Sequence, residues 1–380
     1  MKRFILAVLA LALVAVAGCD SGPKEALKVG SMSPLTGPYA ADGNDIANGV
    51  RTAIEVTQQA GGLPGFESIQ LIAEDTACDP RQAVAAANKL INEGVVAVVG
   101  AYCSSSTIPA SETLDQEGVV MITPASTNEK VTERGLKNMF RTCGRDDDQS
   151  IAAIKFMTDY LKAKTLFIID DKTTYSQGLA DSVEKKAAAA GIDVLGHEHV
   201  NQGDKDFSAV LTKAKEANPD VLYMSMQNSA TGSLLIIQAR RMGLKCAAIG
   251  QDAVYHPQFI EIAKDAAEGV YLTFGYIDKD KPAYKKFLDA YTAKYGEPGA
   301  YSAYAYDSAM ALFEAIKMAK GKTDAATISA NLKQLTMEGA SKKMDYLENG
   351  DSGSNYIIRK VENGQFINFW DPQTGKVFEK

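Results

Sequence analysis

Histidine and tryptophan are scarce in this 380-residue chain, with three of the first and one of the second. So few imidazoles leave little general-base chemistry, and a serine nucleophile would need another activating base. There is no Gly-x-Ser-x-Gly elbow, no phosphate-binding Gly-x-x-x-x-Gly-Lys loop and no Gly-x-Gly-x-x-Gly turn. The usual signatures of α/β-hydrolases, NTPases and dinucleotide enzymes are therefore missing. Lysine and arginine form no block interleaved with aromatics, and the net charge is −7. That composition argues against nucleic acid as a partner. No cofactor is expected.

Only one apolar run is long, and it opens the chain. Lys2 and Arg3 precede an apolar stretch over 4–17, short for a bilayer span, which ends in Val16-Ala17-Gly18-Cys19. The ending resembles the bacterial lipobox; plain secretion with an incidental cysteine is the alternative. The resemblance implies a signal peptide over 1–18, lipid on Cys19 and a tether over 19–26. Asp20 implies, on the same grounds, an anchor at the inner membrane. Export places the chain in the periplasm or on the extracytoplasmic face, an oxidising compartment. Four cysteines then remain, Cys78, Cys103, Cys143 and Cys246, and four allow three pairings. Cys78 and Cys103 each follow an apolar run, so adjacent strands would bring them together. Cys143 and Cys246 are expected to be free and buried.

At this length two domains are expected. The mature region alternates strand-like and helix-like segments: strands at 28–31, 69–73, 95–99 and 119–122, with helices at 45–59, 80–91 and near 108–116. Asp79-Pro80 reads as a cap followed by proline in the first helical position. A second round has helices at 151–161, 177–190 and 234–242 between strands at 166–169, 192–195, 221–224 and 247–249. Helices at 282–295, 302–320 and 325–335 follow. The tail, with Asn363-Gly364 between two alternating segments, predicts a β-hairpin. This is the pattern of α/β domains with parallel sheets flanked by helices.

Polar clusters gather at the carboxyl ends of the strands, where open α/β sheets bind ligands. Ser104-Ser105-Ser106 follows one strand and Thr127 another; Tyr175, Gln227 with Asn228, and Asp252 follow strands of the second round. Hydroxyls and loop N–H groups suit a carboxylate, and Asp252 suits an ammonium. Tyr39, Tyr102 and Tyr301 are candidates for a side-chain pocket. One zwitterion could join the two rims. An exported hydrolase using Ser104 or Ser106, and a ligand-sensing subunit of a membrane receptor, are the rival readings. His197 and His199 flank Glu198 on a predicted strand, and no further ligand is visible nearby; no metal site is expected.

The runs Asp75-Thr76-Ala77-Cys78-Asp79-Pro80, Cys103-Ser104-Ser105-Ser106-Thr107 and Met121-Ile122-Thr123-Pro124-Ala125 resemble the leucine/isoleucine/valine-binding proteins of bacterial ABC importers. Phe140-Arg141-Thr142, Tyr175-Ser176-Gln177-Gly178, Lys205-Asp206-Phe207 and Gln238-Ala239-Arg240 extend the likeness over the mature chain. The resemblance implies a two-lobed type I periplasmic-binding fold with crossovers near 141–145, 273–276 and 340–347. Lobe 1 would hold 27–143 plus 275–342, and lobe 2 would hold 144–274 plus 343–380. It also implies a Cys78–Cys103 bridge and no enzymatic reaction. A monomer would capture an α-amino acid, foremost a branched-chain one, and deliver it to ABC permease subunits. Ser104, Ala125 and Thr127 match residues that hold the ligand's carboxylate and ammonium. Tyr175 matches a second-lobe contact, and Asp252 stands where the leucine-type proteins have Glu. Gln227 and Asn228 stand where the family has a tyrosine, Asp42 replaces an aromatic, and Ala101 and Tyr102 replace a bulky pair.

Overall fold

The computed structural model describes residues 25–379. The expected signal peptide, Cys19 and most of the tether lie outside those residues. The chain first lays down β1 (Leu27–Ser33), α1 (Ala40–Gln59), β2 (Ile69–Asp75), α2 (Pro80–Asn92), β3 (Ala97–Gly100), α3 (Ser104–Gln116), β4 (Val120–Thr123) and β5 (Met139–Arg141). These strands form a parallel sheet in the order β2-β1-β3-β4-β5.

A second body follows: α4 (Asp146–Lys155), β6 (Thr165–Asp170), α5 (Thr174–Ala189), β7 (Asp193–His199), α6 (Ser208–Ala217), β8 (Val221–Ser225), α7 (Ser229–Arg241), β9 (Ala247–Gly250), α8 (Pro257–Ala263) and β10 (Tyr271–Gly275). The chain then returns to the first body through α9 (Pro282–Tyr295), α10 (Ser302–Met318) and α11 (Ala325–Gln334). It forms the small ladder β11 (Thr336–Glu338) with β12 (Lys343–Asp345) and ends with β13 (Tyr356–Glu362), β14 (Gln365–Asp371) and β15 (Lys376–Val377). The second sheet runs β15-β14-β13-β10-β9-β8-β6-β7.

Local chemistry explains much of this. β3, β4 and β8 are buried along their whole length, as strands covered on both faces must be. The Asp79 carboxylate accepts from the N–H groups of Arg81 and Gln82 and so caps α2. Asn363 and Gly364 hold φ of 54° and 70°, the left-handed pair that a tight hairpin between β13 and β14 requires. α1 and α10 meet backbone to backbone, for a Cβ on Gly49 would lie 2.4 Å from the Ser302 carbonyl oxygen. Leu90, Val98, Leu114 and Met121 fill one face of the first sheet. Phe156, Ile168, Tyr223 and Trp370 fill one face of the second.

Several helices begin earlier than the sequence pattern predicts. α1 starts at Ala40, α3 at Ser104, α5 at Thr174 and α7 at Ser229. The first turns of α1, α3 and α7 are mostly small and hydroxyl residues, which carry no apolar periodicity. The serine run is thus the opening turn of α3 rather than a loop. α6 and the short strands β5, β10, β11 and β12 supply elements the alternating pattern did not mark. Cys78 and Cys103 are bridged, with Cα atoms 5.5 Å apart. Cys143 is buried and free; Cys246, expected to be buried, is only half-buried.

The chain crosses between the bodies after β5, after β10 and after β12. Two of these crossings are tied together by charge. Arg141 Nε donates to Asp351 Oδ1 at 2.8 Å, and Arg145 Nη1 reaches Asp351 Oδ2 at 2.8 Å. Thr142 Oγ1 lies 2.7 Å from Ser308 Oγ and 3.0 Å from the Tyr346 hydroxyl.

Candidate functional site

The carboxyl ends of β3 and β4 form one wall. Gly100 lets the chain leave β3 tightly, since a Cβ there would lie 2.1 Å from the Met32 carbonyl oxygen. The loops after β3 and β4 are then stitched to each other. Thr107 Oγ1 and Ser126 Oγ lie 2.6 Å apart, Thr123 Oγ1 donates to the Ala101 carbonyl at 2.8 Å, and Ser126 Oγ donates to the Tyr102 carbonyl at 2.9 Å. Behind them the buried Arg141 guanidinium donates to the carbonyls of Thr127 at 2.9 Å and Asn128 at 2.7 Å. Ser104 is buried at the start of α3, and its hydroxyl accepts from the Asn128 N–H at 3.4 Å. The buried hydroxyls of Ser106 and Thr127 have no hydrogen-bond partner.

The opposite wall comes from the ends of β6, β8 and β9. Thr173 caps α5, which places Tyr175 in its first turn. The Tyr175 hydroxyl donates a short hydrogen bond to Asp252 Oδ1. Burial lifts the Asp252 carboxyl above its ordinary range, and the Tyr175 hydroxyl pulls it part of the way back. Among the described residues no cation pairs with Asp252. Gln251 Nε2 donates to the Met226 carbonyl at 2.5 Å, and the Gln227 N–H donates to Asp171 at 2.6 Å. These bonds fix the β8 and β9 loops side by side.

The two walls share one buried hollow of about 10 Å³, room for roughly one water. It is lined from the first wall by Tyr102, Ser104 and Ala125, and from the second by Tyr175, Gln227 and Asp252. Ala253 and Tyr301 complete it. Tyr102 and Tyr301 meet edge to face at 5.6 Å. A larger cavity of about 550 Å³ opens outside, between Tyr39, Ser105, Asp171 and Gln202. There Gln202 Nε2 reaches across to the Tyr39 hydroxyl in a short hydrogen bond. A solute larger than water can reach the inner hollow only if the walls move apart.

Seven of the ten sequence candidates thus line the hollow. Tyr39 lies at the mouth instead. Thr127 is buried beside the hollow but does not line it. Asn228 serves as the cap of α7, its Oδ1 accepting from the Thr231 N–H at 2.8 Å. Asp146 was not singled out from the sequence, where Asp146-Asp147-Asp148 reads as a helix lead. It is fully buried, neither carboxylate oxygen has a hydrogen-bond partner, and its N–H donates to the Thr127 carbonyl at 2.9 Å. Burial lifts its carboxyl well above the ordinary range, and the negative Asp252 adds to the rise. The two acids repel each other, while Arg141 and the Thr127 hydroxyl offset part of the rise at Asp146. None of the three histidines lines the hollow with Ser104: His256 caps α8, and His197 and His199 sit on β7.

A model of the family described as periplasmic binding protein matches residues 26–365. The chain is 37% identical over 361 residues to an amino acid binding protein of Pseudomonas aeruginosa, covering 94% of this chain and 96% of that one. It is 38% identical over 343 residues to the leucine-, isoleucine-, valine-, threonine- and alanine-binding protein of the same organism, covering 90% and 91%. Among solved structures, a leucine-binding protein from Thermotoga maritima superposes with a TM-score of 0.84 at 32% identity, covering 90% of this chain and 97% of that one. A branched-chain amino acid transporter substrate-binding protein from Streptococcus pneumoniae, in complex with isoleucine, gives 0.82 at 26%, covering 90% and 98%. With its two α/β bodies, three crossovers and shared cleft, the chain belongs to the periplasmic binding protein family.

Proposed function

We propose that this protein captures an α-amino acid of the branched-chain class in the cleft and delivers it to an ABC permease, without catalysing a reaction. The reading takes 27–143 plus 275–342 as one lobe and 144–274 plus 343–380 as the other. One observation carries it: Asp252 and Tyr175 share a single buried hollow with Ser104 and Ala125. A zwitterion bears both charges on one carbon. Its carboxylate would meet the hydroxyls and N–H groups of the first wall, and its ammonium would meet Asp252. Closing the walls removes water and strengthens both contacts. The relatives named for amino acids support the ligand class. The protein would act as a monomer, exported and held to the inner membrane by lipid on Cys19.

The test is mass spectrometry of any solute released on denaturation, followed by calorimetric titration with each common amino acid. At least one should bind with a dissociation constant of about 1 µM or below, worth about 8 kcal/mol. Binding of none would contradict the reading.

A further inference from the structure

The His197-Glu198-His199 run lacks a third ligand in sequence, but the fold supplies one. β6 and β7 run parallel with Ile168 beside His197 and Asp170 beside His199. Both imidazoles therefore turn toward the end of β6. His197 Nε2 lies 2.8 Å and His199 Nδ1 lies 2.6 Å from the same oxygen, Asp170 Oδ2. The three ligand atoms all lie within 4.8 Å of one another. On the far side of the ring, His197 Nδ1 is 2.9 Å from Glu184 Oε2 on α5. Asp170 is fully buried, His197 nearly so, and the His199 side chain is 39% exposed.

We propose that Asp170, His197 and His199 form a binding site for a divalent transition-metal ion of the zinc type. Two neutral imidazoles and one carboxylate are the donor set such ions prefer over calcium or magnesium. Zinc sits about 2.0–2.2 Å from such donors, so adjacent donors lie about 3.3 Å apart. The two nitrogens need retreat from Asp170 by only about half an ångström to admit it. Glu184 then accepts from His197 Nδ1–H and fixes the ring with Nε2 toward the ion. This is the carboxylate–imidazole–metal relay that orients histidine ligands elsewhere. The exposed side of His199 leaves a path in from solvent and an open fourth position for water.

Without a metal, the shared Asp170 oxygen must receive an N–H from each ring. The ion takes the place of these hydrogen bonds. Asp170 also accepts from the Lys172 N–H, and the backbone after His199 leads through Asn201 to Gln202 at the cleft mouth. The site is thus rooted in the rim of the cleft but shares no residue with the inner hollow.

The experiment is calorimetric titration of ZnCl2 into chelator-treated protein at pH 7.5. One ion per chain should bind. His199→Gln and His197→Gln should abolish that binding while amino-acid binding stays near that of the parent, and the metal-free unfolding midpoint should hold in the more exposed His199→Gln. Glu184→Gln should weaken it by about tenfold to a hundredfold. No saturable binding, or binding that survives His199→Gln, overturns the proposal. The two histidines would then serve only as hydrogen-bond partners of the Asp170 carboxylate.

Discussion

The two walls of the cleft handle charge in opposite ways. The first is neutral toward the hollow, offering hydroxyls and backbone groups around Ser104 and Ala125, yet it is braced from behind by buried charge. Arg141 and Arg145 both meet Asp351, and Arg141 also grips the carbonyls of the loop that carries Thr127. These three charges are partners of one another. The second wall presents Asp252, with Asp146 nearby, and among the described residues neither forms an ion pair. Charge that is matched internally builds a rigid frame. Buried charge without an ion pair is open to a positively charged guest, the role proposed for Asp252.

The largest expected effect lies behind the neutral wall. Asp351→Ala strands two guanidiniums, one of them fully buried, and should cost about 3–5 kcal/mol of stability. Chemical denaturation measures it directly. A loss under about 1 kcal/mol, the value of an exposed pair, would remove the distinction between frame and receptor.

Asp252→Asn should act on binding instead. Losing the partner of a buried ammonium costs about 2–5 kcal/mol. Calorimetric affinity should therefore collapse while the folded protein stays at least as stable, because a raised carboxyl is replaced by a neutral amide. Unchanged affinity would take Asp252 out of the site. On the first wall, Ser104→Ala removes one hydroxyl from a carboxylate that has other partners. The expected loss is smaller, about 1.5–3 kcal/mol. If Ser104→Ala proved costlier than Asp252→Asn, the asymmetry between the walls would be reversed.

The smallest effect near neutrality is that of pH. Burial raises the Asp252 carboxyl in the free protein, and a bound ammonium favours its ionised form. Ligand binding therefore expels a proton as pH drops below the raised value. Affinity should be flat at high pH and fall with acidification, by at most about tenfold per pH unit for one proton. The linkage for folding runs the other way. A raised carboxyl adds stability below its unfolded pKa, and that contribution is lost as pH rises through its folded one. Acidification should thus weaken binding without weakening this part of the fold.

Much of this architecture could be read from residue order. The all-apolar runs that became β3, β4 and β8 gave parallel strands, and polar clusters after them marked the sheet edges that face the cleft. Asp79-Pro80 and Asn363-Gly364 carry their own turn chemistry and fell where expected. What stayed hidden depended on tertiary neighbours. Asp146 looks like any acid in a first helical turn until the second wall closes over it. That the Asn228 oxygen caps α7 cannot be read without knowing where α7 begins. The partners of His197 come from Asp170, on a different strand, and from Glu184, on a helix. The starts of α1 and α3 were missed because alanine, glycine and serine give no apolar stripe.

The central claim is that one guest bridges a neutral wall and an anionic one through both of its ionic ends. Parallel calorimetric titrations with leucine, leucinamide and N-acetyl-leucine test it most directly. The account predicts that the parent amino acid binds, that leucinamide loses the hold of the first wall, and that N-acetyl-leucine loses that of Asp252 entirely. Equal affinity for leucine and N-acetyl-leucine would contradict it.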